Sequence, residues 1–209
     1  MSAIIRHMHD ESRSRPNHQC LFHIASAQMG YFTNPQAAAC GFSRDALSMH
    51  SQSGRFVRER RGLYRLRDFP SSPREHVMAA WLAVGRDVAV VSHESALDLH
   101  ELSDVIPDAV HLTVPRLKRA HPKLPGVKIH TTSRAFGPNE IVRLDGMRVT
   151  APIRTILDVD DTGLSLEHVE VAALQAIQRG QATREMFEGQ AAARGGRFRA
   201  DLAHGRIHL

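Results

Sequence analysis

The feature that most constrains the fold is a closely spaced series of helix and turn signals between residues 18 and 69. Thr33-Asn34-Pro35-Gln36 combines an N-cap residue, an early proline and a glutamine three residues after the threonine, which predicts a helix start. That helix ends by Cys40-Gly41, and Ser43 caps a further helix that runs to about Gln52. Two helices joined by a tight glycine-containing turn predict a helix-turn-helix.

An arginine-rich hairpin follows the second of these helices. Residues 55–66 alternate in the manner of a strand on both sides of Arg60-Arg61-Gly62, so the chain is expected to turn there and return. A first helix is predicted from about Leu21 to Gly30, and together these elements predict a winged helix-turn-helix. Arginines on such a hairpin can also be a solvated edge that prevents strand pairing, but behind a helix-turn-helix they favour DNA contact.

The outer face of the last helix and the arginines of the wing are the predicted DNA-binding surface. A period of 3.6 residues places Ser43, Leu47 and His50 on the opposite, inner side of this helix. We expect the helix to contact base edges and the wing to contact phosphates. The predicted DNA-binding residues are Arg44, Asp45, Ser48, Met49, Gln52, Arg55, Arg58, Arg60, Arg61 and Arg65.

Positive charge is concentrated in the first third of the chain. Residues 1–69 contain 10 Lys and Arg against 5 Asp and Glu, whereas the remaining residues contain 17 of each. The net charge of +5 therefore belongs to the segment with the helix-turn-helix signals. This distribution is typical of a nucleic-acid-binding module attached to a neutral one, and it favours double-stranded promoter DNA as a partner.

A composition change marks a boundary after the hairpin. Residues 69–73 are Phe-Pro-Ser-Ser-Pro, and Ser72-Pro73-Arg74-Glu75 supplies a capping box that predicts a new helix. Strands are predicted near 88–91, 110–114 and 127–131, a hairpin about Asp145-Gly146, a helix at 92–100, and further helices opened by Pro152 and capped by Ser165 and Thr183. The predicted fold is α+β, with an N-terminal winged helix-turn-helix followed by a mixed α/β domain ending in helices. Its predicted parts are a flexible tail at 1–17, a DNA-binding domain at 18–69 and a C-terminal domain at 70–209.

The cysteines and histidines do not form a recognisable metal motif. Cys20 and Cys40 lie twenty positions apart without a CxxC pair, so we expect reduced thiols and neither a disulfide framework nor a zinc ribbon. The fourteen histidines include no second matched ligand pair beside His18 and His23. We therefore expect no metal and no cofactor.

Membrane insertion is not indicated by the sequence. The longest apolar run, Val77 to Val84, is eight residues long, far below the roughly 20 residues of a membrane-spanning helix. Residues 1–16 contain no apolar stretch of signal-peptide length. We expect a cytoplasmic protein with no membrane partner.

No complete catalytic constellation is present, so we expect a protein that is not an enzyme and has no catalytic residues. The sequence lacks a GxxxxGK[ST] phosphate-binding loop and a GxSxG nucleophile elbow. Asp158, Asp160 and Asp161 could hold Mg²⁺ through oxygen ligands, but such a cluster is more often a solvated helix end. His93-Glu94 could suggest acid–base chemistry, yet a histidine at a helix start and a first-turn glutamate favoured by the helix dipole need none.

The order of these signals resembles the AbiEi family of antitoxins from type IV toxin–antitoxin systems. The resemblance rests on residues 30–33 (GYFT), 58–66, 91–97 (VSHESAL) and 149–158 (VTAPIRTILD). It implies that the winged helix represses the operon's own promoter, and that the C-terminal domain at 70–209 is an antitoxin domain that neutralises a nucleotidyltransferase-like toxin. It assigns no toxin-facing residue, and it leaves direct contact with the toxin and indirect neutralisation both open. The alternatives are a winged-helix regulator without a toxin partner and an enzyme with an unrecognised site.

Overall fold

The computed structural model describes residues 15–104, 106–118 and 123–209. The chain divides into two compact units, an N-terminal unit that ends at Pro70 and a C-terminal unit that begins at Ser71. Each unit has its own sheet and its own hydrophobic core. Of the tail predicted over residues 1–17, only residues 15–17 lie among the described residues.

The described part of the N-terminal unit contains three helices and a three-stranded antiparallel sheet. Its elements are α1 (His18–Ser26), β1 (Tyr31–Thr33), α2 (Asn34–Ala39), α3 (Arg44–Gln52), β2 (Phe56–Arg60) and β3 (Leu63–Leu66). Helices α2 and α3 form the helix-turn-helix, and β2 and β3 form the wing. The sheet order is β1-β3-β2, and Tyr31 pairs with Arg65 across β1 and β3. Strand β1, which the sequence did not predict, thus ties the start of the helix-turn-helix to the wing.

Side-chain caps start the three helices in the described part of this unit. Asn17 Oδ1 accepts a hydrogen bond from the backbone N–H of Cys20 at 2.9 Å, and Ser43 Oγ accepts one from that of Ala46 at 3.1 Å. Thr33 and Gln36 form the capping box of α2. Each cap satisfies a backbone donor that has no partner within the helix, so the helix starts follow directly from the sequence.

A disulfide joins Cys20 in α1 to Cys40 at the end of α2, with Cα atoms 5.8 Å apart. The expectation of reduced thiols is therefore wrong for this structure. The spacing of twenty residues carries no information on the packing of α1 beside α2, and that packing brings the two thiols together. The bond adds a covalent link to a unit of only 70 residues, a size at which a hydrophobic core alone is small.

The C-terminal unit is built around a five-stranded mixed sheet with the strand order β6-β5-β4-β8-β7. Strands β4/β8 and β5/β6 are parallel, whereas β4/β5 and β7/β8 are antiparallel. Its elements are α4 (Glu75–Val84), β4 (Val90–Val91), α5 (His93–His100), β5 (Val110–Pro115), β6 (Val127–Thr132), β7 (Ile141–Leu144), β8 (Met147–Thr150), α6 (Pro152–Asp161), α7 (Leu166–Gln178), α8 (Arg184–Arg194) and α9 (Arg197–Ala203). The predicted fold class is confirmed: the chain is α+β, and the mixed α/β unit ends in helices.

A hydrophobic core cluster of the C-terminal unit lies among helices α5 to α9. Ile156, Phe187 and Phe198 from α6, α8 and α9 are almost completely buried in one cluster. Trp81 of α4 is also buried, and its Nε1–H donates to the carbonyl of Ala89 at 2.9 Å. No helix in the described part of the chain is long and apolar enough to cross a membrane.

Candidate nucleic-acid interface

A groove of about 480 Å³ lies between helix α3 and the wing. Five of the predicted DNA-binding residues line it: Arg44, Ser48 and Gln52 from α3, and Arg58 and Arg61 from the wing. The structure thus brings together side chains that are up to 17 positions apart in the sequence. They combine hydrogen-bonding groups on a helix with positive charge on a hairpin, which is the combination that base edges and phosphates require.

Helix α3 has the inner and outer faces that its periodicity predicts. Leu47 and His50 are buried, whereas Ser48, Met49 and Gln52 are exposed. Asp45 and Met49 lie on the exposed side but outside the walls of the groove. The exposed surface of the helix is therefore polar except for Met49, whose side chain is available for an apolar contact.

The other three predicted arginines lie away from the walls of the groove. Arg55 is exposed just before β2, and Arg60 is half-buried at the end of β2. Arg65 pairs with Val57, while its neighbour Tyr64 pairs with Arg58, so the side chain of Arg65 lies on the opposite face of the sheet from that of Arg58.

Arg65 is bound within its own unit. Its guanidinium donates from Nη2 to the carbonyls of Phe69 at 2.9 Å and Pro70 at 3.1 Å. It also lies over the ring of Tyr31, 5.7 Å from the centroid. These contacts fix the last residues of the N-terminal unit beside the sheet, on the side away from the groove.

The arginines of the groove carry uncompensated charge. Among the described residues, Arg44, Arg58 and Arg61 form no ion pair and donate no side-chain hydrogen bond. No described acidic side chain of this unit, such as that of Asp45 or Glu59, lies within 4.0 Å of these guanidinium groups. Free guanidinium groups on an exposed hairpin are suited to phosphate oxygens, because binding need not first break an internal pair.

An aromatic cluster supports α3 from within the unit. The ring of His50 lies 4.9 Å from that of Phe56 and 5.1 Å from that of His18. Burial, together with the nearby His18 and Arg55, lowers the pKa of His50. His50 is therefore a neutral packing group that holds α3 against the base of the wing, and not a phosphate ligand.

Five further residues of the groove were not predicted as DNA-binding residues, and Asn34 and Ser51 are the two of them that lie on helices with polar side chains. Asn34 and Ser51 line the groove, and the backbone N–H of Asn34 donates to the carbonyl of Gly62 at 3.0 Å. Asn34 lies in the first turn of α2, where the helix dipole favours an anion. That position was visible in the capping signal, but its proximity to the wing turn depends on the tertiary fold.

The aspartates considered for Mg²⁺ do not form an open acidic site. Asp158 is buried and accepts hydrogen bonds from Arg154 at 2.9 Å and from Arg194 at 2.6 Å. Asp161 also accepts from Arg194, at 2.6 Å. Asp160 is fully buried, and burial raises its pKa. Asp158 and Asp161 are thus engaged in internal ion pairs. This favours a structural role for the cluster over a Mg²⁺ site.

His93 and Glu94 open helix α5, as predicted, but His93 has an unusual environment. Its ring stacks on that of His130 with centroids 3.5 Å apart. Burial, and then the proximity of His130 and His111, lowers the pKa of His93 to about 2. The imidazole is therefore neutral at physiological pH.

Comparisons with known proteins bear on the N-terminal unit and on the fold. Residues 20–67 match the model of a family described as a transcriptional regulator, AbiEi antitoxin, which confirms the recognition of that family over this segment. No curated protein matches the chain. The chain is similar in structure to the crystal structure of the RV2827C protein from Mycobacterium tuberculosis, with a TM-score of 0.55 and 15% sequence identity over 90% of this chain and 80% of that one. At that identity the likeness shows a shared fold alone.

Proposed function

We propose that the chain is a cytoplasmic antitoxin of a type IV system, which represses its own operon by binding double-stranded promoter DNA and neutralises a cognate nucleotidyltransferase-like toxin. The observation that carries the proposal is the arginine-lined groove between α3 and the wing, within the segment that matches the antitoxin-regulator family. Both activities are binding activities, and the proposal includes no catalytic step. The DNA-binding domain is residues 18–69, and the antitoxin domain is residues 70–209.

In this proposal α3 enters the major groove and the wing lies along the adjacent backbone. The major groove of B-DNA is about 12 Å wide and admits one helix. Ser48, Met49 and Gln52 are the exposed groups of α3 that would meet base edges. Arg58 and Arg61 would neutralise phosphates, which gives affinity without sequence preference.

Full-length variants can separate the two kinds of DNA recognition. Replacing Arg58 and Arg61 by Ala should weaken binding to promoter and random DNA alike, and should reduce the slope of log affinity against log salt by about one for each phosphate that is no longer neutralised. Replacing Ser48 and Gln52 by Ala should mainly reduce discrimination between the two DNAs, by about 1–3 kcal/mol for each base that is no longer recognised. Titration of labelled DNA at several salt concentrations measures both effects.

A matched control removes arginines from the C-terminal unit. Arg184 and Arg206 are exposed and are paired with Glu188 and Asp201. Their replacement by Ala removes the same formal charge but should leave the salt slope unchanged. If the variant lacking Arg58 and Arg61 keeps the wild-type slope, the wing is not at the DNA interface.

Neutralisation of the toxin can be tested separately from repression. Cells that express the neighbouring nucleotidyltransferase-like gene should be protected by the full chain and by the variant lacking Arg58 and Arg61, both produced from an unrelated promoter. The same variant should fail to repress the native promoter. Loss of protection at an unchanged protein level would contradict the assignment of neutralisation to the C-terminal domain. If no toxin gene lies beside this one, the regulator without a toxin partner is the better explanation.

A further inference from the structure

Three histidines from separate elements meet in the C-terminal unit. His93 begins α5, His111 lies in β5 and His130 lies in β6. One ring nitrogen of each lies within 4.8 Å of the other two. Strands β5 and β6 run parallel, with His111 opposite Lys128 and Thr113 opposite His130, so the alternation of side chains places His111 and His130 on the same face of the sheet.

The spacing within this cluster fits a tetrahedral metal ion. Nε2 of His130 lies 3.3 Å from Nδ1 of His111. Two imidazole nitrogens that each lie about 2.0–2.1 Å from a tetrahedral zinc ion are separated by about 3.3 Å. These two nitrogens therefore already have the separation of a ligand pair. The ring of His93 stacks on that of His130, so it would have to turn about its side-chain bonds to direct a nitrogen to the same ion.

The outer nitrogens of two of these rings face groups that commonly support metal-binding histidines. Nε2 of His111, in a side chain that is 1% exposed, has no hydrogen-bond partner, and it lies 4.0 Å from Glu94 Oε2 and 3.9 Å from Asp108 Oδ1. Nδ1 of His93 lies 2.9 Å from Ser92 Oγ. A histidine that binds metal through one nitrogen usually donates its other N–H to a carboxylate or another oxygen.

The backbone of His93 is held in a sparsely populated conformation. Its φ is +53°, in the left-handed region, at the first residue of α5. Such backbone strain costs of order 1–3 kcal/mol, and it persists where the surrounding structure fixes it, often at ligand-binding sites. The strain gives a second and independent reason to regard the position of this imidazole as functional.

Arg154 and Arg194, which line a cavity together with His93, are paired with carboxylates, whereas Lys128 of β6 lies near His111 and His130. Arg154 donates to Asp158 and Glu140, and Arg194 donates to Asp158 and Asp161.

We propose that His93, His111 and His130 bind one divalent transition-metal ion, with zinc as the preferred ion. Three imidazole nitrogens suit zinc and neighbouring transition metals, whereas Mg²⁺ and Ca²⁺ prefer oxygen ligands. His93 and His130 also line a cavity of about 370 Å³, so the fourth position is open to water. The site would join α5 to β5 and β6. This proposal departs from the expectation, based on the sequence, that the protein binds no metal, and it is independent of the DNA-binding and antitoxin assignments.

The test is metal binding by the full-length chain without an affinity tag. After removal of metals with a chelator, the wild type should take up one Zn²⁺ per chain by elemental analysis, and Co²⁺ should give the visible absorption bands of a tetrahedral complex with imidazole ligands. Replacing His93 by Asn, which tolerates a left-handed φ, and His130 by Gln should weaken zinc binding by about 100-fold or more. Zinc should raise the unfolding midpoint detected by Trp81 in the wild type but not in this variant.

Two control variants remove histidines elsewhere. His76→Gln with His168→Gln changes exposed side chains of the C-terminal unit, and His7→Gln with His9→Gln changes the N-terminal segment. Both should retain one Zn²⁺ per chain with unchanged affinity. Wild-type zinc binding that disappears in either control would place the ion outside the cluster and overturn the proposal.

Other outcomes would also contradict the proposed metal site at His93, His111 and His130. If the wild type retains neither zinc, cobalt nor nickel, the cluster is not a metal site. Glu94, Asp108 and His111 form a second group with suitable spacing. Zinc binding lost in Glu94→Gln/Asp108→Asn but retained in His93→Asn/His130→Gln would favour that group. If the histidine variant does not fold, X-ray absorption of the zinc-loaded wild type decides the question, and fewer than three imidazole ligands would disprove the triad.

Discussion

Arginine has different surroundings in the two units of the chain. In the N-terminal unit, Arg58 and Arg61 line a surface groove and have no acidic partner among the described residues. In the C-terminal unit, Arg154 is almost buried between Asp158 and Glu140. The same residue type thus has no acidic partner in one unit and neutralises a buried and a half-buried carboxylate in the other. The comparison shows that net charge locates a nucleic-acid surface only when the pairing of each charge is known.

The two units also differ in what supplements their hydrophobic cores. The small N-terminal unit contains the Cys20–Cys40 disulfide. The C-terminal unit, from Ser71 to Leu209, has a series of ion pairs along α6 and α8. The only Trp of the chain, Trp81, lies in the C-terminal unit, whereas both Tyr residues lie in the other. Unfolding of each unit can therefore be followed by its own signal.

The largest expected effect on stability comes from removing the charge of Arg154. Its Nε donates to both oxygens of Asp158 at 2.9 Å, and its Nη1 donates to Glu140 at 3.1 Å. Replacement by Met keeps a side chain of similar length but leaves the buried carboxylate of Asp158 and the half-buried carboxylate of Glu140 with fewer partners. We expect the free energy of unfolding of the C-terminal unit to fall by about 3–4 kcal/mol, measured by urea denaturation with Trp81 fluorescence.

Arg61→Met is the matched control for this variant. Arg61 is exposed and has no partner among the described residues, so the free energy of unfolding should change by less than about 0.5 kcal/mol while DNA binding weakens. Arg154→Met, in contrast, should lower the free energy of unfolding and leave DNA binding unchanged. If the free energy of unfolding of Arg154→Met falls by less than about 1 kcal/mol, the contrast between the two units has no basis.

A smaller effect is expected from reduction of the disulfide. The link between Cys20 and Cys40 restricts the separation of two chain segments in the unfolded state, and bonds over such a span stabilise by about 2–3 kcal/mol. Adding a reductant should lower the denaturant midpoint reported by the tyrosines and leave that of Trp81 unchanged. A variant with both cysteines replaced by Ala should not respond to the reductant. An equal response at Trp81 would contradict the independence of the two units.

The smallest of the three effects is the dependence of the C-terminal unit on Glu140 in acid. Hydrogen bonds from Arg134, the backbone N–H of Gly137 and the nearby Arg154 lower the pKa of Glu140 from 4.5 to about 2. Because the folded-state pKa lies below the unfolded-state value, this stabilisation is present above pH 4.5 and is lost as the pH falls towards 2. Across this pH interval, we expect the free energy of unfolding of the wild type to fall by about 1–2 kcal/mol more than that of Glu140→Gln.

Trp81-detected unfolding at pH 6 and pH 3 measures this difference. Glu188→Gln is the control, because Glu188 forms an exposed pair with Arg184, and such pairs contribute little. Its acid dependence should equal that of the wild type. If Glu140→Gln also follows the wild-type curve, the carboxylate of Glu140 does not contribute to acid stability.

The parts of the fold that could be predicted from the sequence depend on neighbouring residues. The two faces of α3 follow from a period of 3.6 residues, and the β7–β8 hairpin follows from Asp145-Gly146, which both have positive φ in the turn. Strand β1 has only three residues and is defined by pairing with β3, about thirty positions later. That pairing leaves no periodic signal in so short a segment, so β1 was missed.

The residues of the groove and of the histidine cluster also differ in whether the local sequence could predict them. Arg58 and Ser48 were predicted because charge and helix periodicity are visible locally, whereas Asn34 lines the same groove only because the start of α2 lies beside the wing turn. His111 and His130 come together through the parallel pairing of β5 and β6. A parallel pair requires a crossover connection, and nothing in the local sequence indicates which two strands will become neighbours.

The pairing of β1 with β3 has a consequence for the proposed association with DNA. It closes the chain between Tyr31 and Arg65, and the N–H of Leu66 donates to the carbonyl of Gly30 at 2.9 Å at the point of closure. Helix α3 and the wing lie inside this closed segment, and Leu47 of α3 is buried in one core cluster with Phe56 and Tyr64 of the wing. A double helix would therefore meet a groove whose walls are already in place, and little conformational entropy would be lost when the complex forms.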